Sequence, residues 1–492
     1  MVNNAMFNPS IATYFIDRYG VRLELELSEE SLESFSDLYP NSLRKVMGLK
    51  QSPLDKRSKL FLQNKLTINA DGKKLFAQVV SMHGAKKIMR DVITGEILKQ
   101  QPLDSPAQLF ITIKYSFHNK LPKVLEFKHN TNATLAFILY HENQAVNNYA
   151  YLSKTQELHL NWSDSFYTYF TSNTLKRQFK YPAMGYLYIE PRMVRVETLM
   201  RYKDIERLSG SQKSIKSYFL KDNKLLINHK HLSPDIVNIS YFEVSELGLK
   251  LTNNSKSIDK DLLFVGVSQQ YYVDKLPSSV SSEWNYFNKY TSKILFNITD
   301  PVGPYPSFIY KETPLFEWKN LIKQTSEEFM TPVEVKTGLI VDLPLVGEKK
   351  LWSELPTKKQ ARQIIEKTLQ NIRIAFIEKE PHRLSAELSK TLHSSNPSLQ
   401  KELQKLFAPS VVRGGYGSVK EFGDFEIKRI DALNANNGFS INLRGEVNII
   451  ARHWGHDDNS ILTYQVIIDF VERNNRWFIE DFSILDLKDK VL

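Results

Sequence analysis

The sequence predicts a multidomain, mainly β protein, with one or two antiparallel β-sandwich-like domains followed by a C-terminal α+β domain. Three observations support this class. Apolar and polar residues alternate in many short runs, as expected for half-buried strands. Turn-forming residues separate these runs. Only after about residue 355 do apolar residues recur at the spacing of three and four that is typical of helices. A chain of 492 residues has room for about three such domains.

The first predicted domain, residues 1–205, is β-rich with short helices. In VRLELELS (21–28) apolar residues alternate strictly with charged ones, which indicates a strand with one buried face. Asp71-Gly72 separates two strand-like runs, and this dipeptide favours a tight hairpin turn. The predominance of alternating runs favours an antiparallel β domain.

A second β-rich domain is predicted at residues 206–298, where short strand patterns are separated by polar breaks. The next stretch, TDPVGPYPSFIYKETPLFEW (299–318), carries four prolines, which cannot donate to a strand ladder. We therefore predict an extended, Pro-rich linker over residues 299–354. Both β blocks end in strands that lead into Pro- or Trp-containing segments, which hints at a duplicated β unit, although no residue-level repeat supports it.

The third predicted domain, residues 355–492, begins with helices. Apolar residues in TKKQARQIIEKTLQNIRIAFIEKE (357–380) follow helical spacing, and a second helical hairpin follows Pro381. Four long strand patterns complete the chain. Helices followed by an antiparallel meander indicate an α+β domain.

Composition limits the chemistry that this chain can perform. It has no cysteine, which excludes disulfides, cysteine zinc sites and thiol nucleophiles. No apolar run is long enough for a membrane span, and the opening MVNNAMFNPS has neither the basic nor the apolar region of a signal peptide. The net charge of +10 favours binding to an anionic partner surface. The basic residues are spread along the chain, however, which disfavours a dedicated nucleic-acid site.

The stretch ARHWGHDDNS (451–460) is the best candidate for a functional site. Its metal-ligand candidates are His453, His456 and Asp457, with Asp458 beside them. Strand alternation followed by Gly455 and turn-forming residues instead favours the tip of a hairpin. Asp457 and Asp458 diverge on an extended backbone, so we favour the hairpin over a metal site, while Arg452, His453, Trp454 and His456 remain candidates for ligand or partner binding.

Two carboxylates are weak catalytic candidates in the same domain. Asp469 lies in VIIDFV and Asp481 in FIEDF, and Asp469 is predicted on an otherwise apolar face with Ile467 and Val471. A carboxylate there is costly unless it is paired. We expect an ion pair with Arg452 rather than catalysis. Nearby, Tyr464 and Trp477 are candidates for the wall of a binding pocket, with the domain core as the alternative.

The order of helices and long hairpins, ending in NNRWFIEDFSILDL, resembles the cone-shaped α+β fold of nuclear-transport-factor-like, polyketide-cyclase-like and secretion-system assembly domains. In addition, LPSSVSSEWNYF (276–287), TDPVGPYPSFIYKETPLFEWKNLI (299–322) and the segment 452–487 resemble segments of uncharacterised bacterial envelope or exported proteins. Those proteins place a β-rich region before a C-terminal module of this type.

This resemblance implies a periplasmic or exported protein, with a cytoplasmic one as the alternative. We expect a non-enzymatic binding or assembly role, no cofactor, and a protein partner in the envelope. The alternatives are a small-ligand-binding or hydrolase/isomerase-type cone-fold enzyme, and a binder of polyanions or membrane surfaces, with anionic lipid or polysaccharide as its partner. Nucleic acid is disfavoured as a partner, and homo-oligomerisation stays open.

Overall fold

The protein is mainly β and contains several antiparallel sheets. The computed structural model describes residues 4–491 except for 32, 92–95, 118–119, 153–154, 176, 178, 210–214, 223–224, 246–247, 254–257, 322–354, 394–396, 408–415, 434–437 and 474–475. Separate apolar cores define three units in the described chain, which we call the first, second and third units: residues 4–175, 183–321 and 357–491.

The first unit packs two sheets against each other. In spatial order, its larger sheet consists of β10 (Ala150–Tyr151), β8 (Ala136–His141), β1 (Ser10–Asp17), β2 (Gly20–Ser28), β6 (Ala107–Ser116) and β5 (Phe76–Lys86), with β9 (Gln144–Ala145) beside β8. The smaller sheet consists of β12 (Tyr169–Phe170), β11 (Thr155–His159), β7 (Val124–His129), β3 (Leu66–Ala70) and β4 (Lys73–Lys74). The alternation in β2 buries Leu23 and Leu25 between the sheets and leaves Arg22 and Glu24 on the outer face.

Helices α1 (Asn41–Val46) and α2 (Leu54–Asn64) connect β2 to β3. Short 3-10 helices cover Asn4–Phe7, Glu29–Ser31, Glu33–Leu38 and Ser165–Tyr167. Phe61 and Leu62 of α2 are buried in the same core as the strands, so the helix closes one end of the two-sheet sandwich.

The second unit is built in the same way. Its larger sheet consists, in spatial order, of β18 (Gly248–Thr252), β17 (Ile236–Ser245), β19 (Leu263–Tyr272), β14 (Met193–Arg201), β13 (Ala183–Glu190), β21 (Lys293–Asp300) and β22 (Gly303–Tyr310). Its smaller sheet consists of β16 (Lys230–His231), β15 (Leu225–Ile227), β20 (Ser279–Glu283) and β23 (Leu315–Lys319). Helices α3 (Tyr202–Ser209) and α4 (Ile215–Asp222) connect β14 to β15.

The two β units share one topology. Each starts with a hairpin (β1–β2, β13–β14) whose first strand pairs in parallel with a late strand (β8, β21) and whose second pairs antiparallel with a middle strand (β6, β19). In both units, two helices follow the hairpin and a short strand (β3, β15) then opens the smaller sheet. The registers also agree, because Phe15 pairs with Arg22 as Tyr188 pairs with Arg195. A duplicated β unit is therefore present in the fold.

In the third unit, three helices precede one antiparallel sheet. The helices are α5 (Lys358–Ala375), α6 (Pro381–Leu388) and α7 (Pro397–Phe407), and the sheet runs β24 (Tyr416–Ala432), β25 (Gly438–His453), β26 (His456–Arg473) and β27 (Arg476–Val491). Thr357 and Gln360 form a reciprocal capping box that starts α5. Ile364, Ile365 and Leu369 of α5 share one buried core with alternate residues of the sheet.

Two of the predicted boundaries are wrong. Strands β13 and β14 belong to the second unit rather than to a domain of residues 1–205, because β13 pairs with the distant β21 and local patterning does not reveal such long-range pairing. The predicted linker is also wrong over residues 303–319, which form β22 and β23. Pro304 and Pro306 are tolerated because β22 lies at the sheet edge. Residues 322–354 of the predicted linker lie outside the described residues.

Candidate functional site

The stretch singled out in the sequence forms the tip of the β25–β26 hairpin. His453 and His456 pair across the strands, and Trp454 and Gly455 form the two-residue turn between them. Both turn residues have positive φ, 46° and 76°, as a type I′ turn requires. Glycine adopts this conformation easily, whereas a tryptophan rarely does. The surroundings of the Trp454 side chain must therefore hold it there.

The polar side chains of the tip approach each other in two separate contacts. Arg452 Nε lies 3.6 Å from an Asp457 carboxylate oxygen, and His453 Nε2 lies 3.7 Å from an Asp458 carboxylate oxygen. Among the described residues, no group of three or more acidic or histidine side chains is arranged to hold a metal ion. The candidate metal ligands of the tip therefore do not meet at one position.

The tip docks on the outer face of the larger sheet of the second unit. Trp454 is 6% exposed, and its ring packs edge-on against Phe242 with 5.2 Å between centroids. Gly266 on β19 makes room for the indole, because a Cβ at that position would lie only 2.4 Å from the Trp454 ring. A Cβ on Gly455 would likewise meet the Tyr186 ring at 2.2 Å. Two glycines, one on each side, therefore permit the contact.

Polar side chains of β13 and β14 bind the backbone of the tip. The Trp454 N–H donates to Glu197 Oε2 at 2.5 Å, and the Gly455 N–H donates to the Tyr188 hydroxyl at 3.0 Å. Arg195 donates to Glu197 Oε1 at 2.5 Å and to the Arg452 carbonyl at 2.6 Å. The Arg195–Glu197 pair thus recognises the N–H of the first turn residue and the C=O of the strand residue two positions before it, which are backbone groups that any hairpin presents.

The docked tip removes this ion pair from water. Arg195 and Glu197 are both 0% exposed, and the Arg195 guanidinium lies 4.2 Å from the centre of the Tyr188 ring. Burial raises the pKa of the Glu197 carboxyl above its usual value, and the neighbouring Arg195 and the Trp454 N–H offset only part of that shift. A buried pair is costly unless all of its hydrogen bonds are made, so these side chains favour the docked tip.

A second set of contacts joins the same two units at the β13–β14 turn. Arg192 Nε lies 3.1 Å from Glu378 Oε1, and Lys379 Nζ lies 3.2 Å from Ser418 Oγ and 3.9 Å from Glu190 Oε2. Burial lowers the pKa of Lys379. A cavity of about 390 Å³ lies beside the tip, with Tyr186, Tyr188 and Tyr305 among its lining residues. Ion pairs at the β13–β14 turn therefore add to the aromatic contact that Trp454 makes.

The weak catalytic candidates lie elsewhere. Asp469 and Asp481 pair across β26 and β27, on the side of the sheet opposite to the core residues Ile468 and Phe470. The predicted Arg452–Asp469 ion pair is wrong, because the register places Arg452 opposite Asp457 at the tip and Asp469 opposite Ser440.

The predicted face of Asp469 also differs. Its half-buried companions on the strand include polar residues, Thr463 and Gln465, as well as Ile467, whereas Val471 is buried. The register shift at this point lies in the partner strand, where Glu480 of β27 is the extra residue between the partners of Asp469 and Phe470.

Tyr464 and Trp477 lie in the core of the third unit. They are 1% and 2% exposed, and Trp477 packs edge-on against Phe439 with 4.8 Å between centroids. Burial raises the pKa of Tyr464. These aromatic side chains fill space between sheet and helices.

Sequence reasoning missed the receptor residues Tyr188, Arg195, Glu197 and Gly266. They lie up to 267 residues from the tip they contact, and pattern analysis does not link such distant positions. One signal was present. The motif Val-Arg-x-Glu occurs at residues 21–24 and again at 194–197, in equivalent strands of the two β units.

Comparison with known proteins does not add a family to this description. Known family models give no match to the sequence, and neither do curated proteins. No helix in the described part of the chain is long and apolar enough to cross a membrane. Fold and site together define a mainly β chain with two copies of one β unit, the second of which receives a hairpin from the third unit.

Proposed function

We propose that this chain is a non-enzymatic binding or assembly protein of the bacterial cell envelope. The observation that carries the proposal is the contact of the hairpin tip with the second unit. Its aromatic side chain and two backbone N–H groups are all engaged in joining the second and third units. The stretch whose residue types most favoured chemistry thus serves protein–protein contact within the chain.

The interior of the third unit supports the same proposal. We propose that this unit has the cone-shaped α+β fold, used here for assembly. A ligand-binding or hydrolase/isomerase version would need an apolar pocket with convergent polar groups. The side of the sheet that faces the helices instead carries buried side chains such as Leu462, Tyr464 and Val466. Asp469 and Asp481 lie on the other side and lend the enzyme alternative no support.

A second candidate function, binding to an anionic lipid or polysaccharide surface, is favoured by the net charge of +10. It differs from the leading proposal in its response to salt. Binding to a polyanion weakens steeply as salt displaces it, whereas docking between protein surfaces depends less on ionic strength.

Site-specific photo-crosslinking in the encoding bacterium tests the proposal. A photoreactive amino acid is placed at Tyr19, Leu103 or Leu321, which are 86%, 91% and 85% exposed. We expect the chain in the envelope fraction and a discrete protein adduct from at least one position, retained at high salt. A cytoplasmic chain without adducts at all three positions would overturn the proposal, and salt-sensitive binding to anionic vesicles alone would favour the polyanion function.

A further inference from the structure

We propose that the outer face of the larger sheet in the first unit, around Phe15, Arg22 and Glu24, is a docking site for a β-hairpin turn of a partner protein. The inference rests on the proposed binding function and names the kind of partner. It starts from the duplicated fold, in which β1–β2 and β13–β14 occupy the same place with the same register.

The recognition groups of the second unit recur in the first. Arg22 and Glu24 form an ion pair two residues apart on β2, as Arg195 and Glu197 do on β14. The Arg22 guanidinium lies 4.1 Å from the centre of the Phe15 ring, and the Arg195 guanidinium lies 4.2 Å from that of Tyr188. The first unit thus carries the donor, the acceptor and the aromatic platform that hold a turn in the second.

The two sites differ in exposure. Arg195 and Glu197 are sealed beneath the Trp454 tip, whereas the side chains of Arg22 and Glu24 are 41% and 42% exposed. Phe15 is also partly open and stacks on Tyr140 with 5.4 Å between ring centroids. An Arg–Glu pair on an aromatic platform at the surface can therefore offer the same two hydrogen-bonding groups to a partner.

The neighbouring residue specifies the turn that fits. Gly266 pairs with Leu199, two residues after Glu197, and Phe110 pairs with Glu26, two residues after Glu24. Where Gly266 leaves room for an indole, Phe110 fills the space and stacks on His83, with 5.4 Å between centroids. The partner's turn must then carry a small residue where this chain has Trp454.

This difference excludes the Trp454 tip of a second copy as the occupant. The Trp454 tip is already seated within its own chain, and its indole would collide with Phe110 in the first unit. The chain's own Asp71-Gly72 turn does not fit either, because the Asp71 N–H already donates to the Val124 carbonyl at 2.9 Å. We therefore assign the site to a hairpin turn of another protein, with a small residue followed by glycine, as in the Asn-Gly turns that favour this geometry.

A hairpin peptide of defined sequence tests the proposal. We would titrate the full chain into a ¹⁵N-labelled, head-to-tail cyclised peptide with the sequence of residues 447–462 and the substitution Trp454→Asn. Binding to a 57.1 kDa protein broadens the resonances of a small peptide even when affinity is weak. We expect the amide of the first turn residue to shift and broaden most, because it is the donor to Glu24 in the proposed site. The amide of the second should change less, since Phe15 lacks the hydroxyl with which Tyr188 accepts from Gly455.

The matched control is a second ion pair in the same unit. Lys128 and Glu126 on β7 are also two residues apart, and their side chains are 38% and 32% exposed. We expect Arg22→Ala/Glu24→Ala to weaken peptide binding about tenfold, since a charge-assisted hydrogen bond is lost, and Lys128→Ala/Glu126→Ala to leave it unchanged. The peptide that keeps Trp454 should bind more weakly, and Phe110→Gly should reverse that preference.

Equal binding to both double variants, or no binding at all, would overturn the docking site. If protein adducts still form in the photo-crosslinking experiment, the general binding function stands and only this site falls. If neither experiment shows binding, both proposals fall.

Discussion

Trp454 is the residue on which the contact between the second and third units depends most. Its side chain is 6% exposed, and its backbone has a φ of 46°, a conformation that its indole contacts must stabilise. We expect Trp454→Ala to lower the free energy of unfolding by about 3–5 kcal/mol, the usual loss for a buried tryptophan.

Urea unfolding followed by circular dichroism measures this loss. Tyr19→Ala is the control, because Tyr19 is 86% exposed and its truncation should change stability by no more than about 0.5 kcal/mol. Equal effects of the two substitutions would show that the indole contributes little to the contact.

His141 gives the first unit a defined sensitivity to acid. It is 0% exposed, its Nδ1 lies 2.7 Å from the Thr168 hydroxyl, and burial lowers its pKa to about 4. The unfolded chain protonates this histidine near pH 6.5, while the folded chain does so only near pH 4. Stability is therefore lost as pH falls through this window, by about 3 kcal/mol at pH 4.

The variant His141→Gln cannot be protonated and isolates this effect. Between pH 7 and pH 4, we expect the wild type to lose about 3 kcal/mol more stability than the variant. Urea titrations at both pH values provide the measurement. Parallel losses in the two proteins would mean that His141 does not remain neutral in the folded state.

At the scale of elements, strand β19 matters through one glycine. A Cβ on Gly266 would lie 2.4 Å from the Trp454 ring and 2.7 Å from that of Phe242, so both rings must shift. We expect Gly266→Ala to cost about 1–3 kcal/mol, as overpacking of a filled core does. In a Trp454→Ala background this cost should be smaller, because the indole is gone and only the Phe242 ring remains crowded.

Gly84→Ala is the matched control on β5, where the nearest atom to an added Cβ is the Gln108 carbonyl oxygen at 3.9 Å. This substitution should be neutral or slightly stabilising. Thermal unfolding of the four variants measures both effects. If the Gly266→Ala protein is as stable as Gly84→Ala, the rings around Gly266 can shift without loss of stability.

The sequence predicts elements better than it predicts their partners. In β2, the strict alternation of Leu23 and Leu25 with charged residues correctly indicates a strand with one buried face. The same reasoning does not reveal that β13 pairs in parallel with β21, since the alternation reports which face is buried but not what lies beside the strand. Pro304 and Pro306 likewise predict a linker, because sequence alone does not mark a strand as an edge.

For the whole molecule, the mainly β class is confirmed, while the family resemblance and the envelope location stay predictions. Turn-forming residues around Gly455 correctly indicated a hairpin tip. What the tip contacts was hidden, because Glu197 lies 257 residues away from Trp454. The repeated motif Val-Arg-x-Glu in β2 and β14 was the one local sign of this contact.

The buried pair Arg195–Glu197 should make the second and third units unfold together. Without Glu197, the buried Arg195 guanidinium would lose its carboxylate partner, and the Trp454 N–H would lose its acceptor. We expect Glu197→Ala to cost about 3–5 kcal/mol and to split a shared calorimetric transition into two. Glu24→Ala removes the equivalent carboxylate from the half-exposed pair of the first unit, and it should cost less than about 1 kcal/mol.

The double variant Arg195→Met/Glu197→Leu shows whether stability depends on the two charges or on the space that the side chains fill. Replacing both members of a buried pair by apolar residues is often neutral, so the double variant should be more stable than Glu197→Ala, although it still leaves the Trp454 N–H without an acceptor, at about 1–3 kcal/mol. Differential scanning calorimetry of Glu197→Ala, Glu24→Ala and the double variant compares their unfolding transitions. If Glu197→Ala and Glu24→Ala lower stability equally, burial of the Arg195–Glu197 pair adds nothing to the contact between the second and third units.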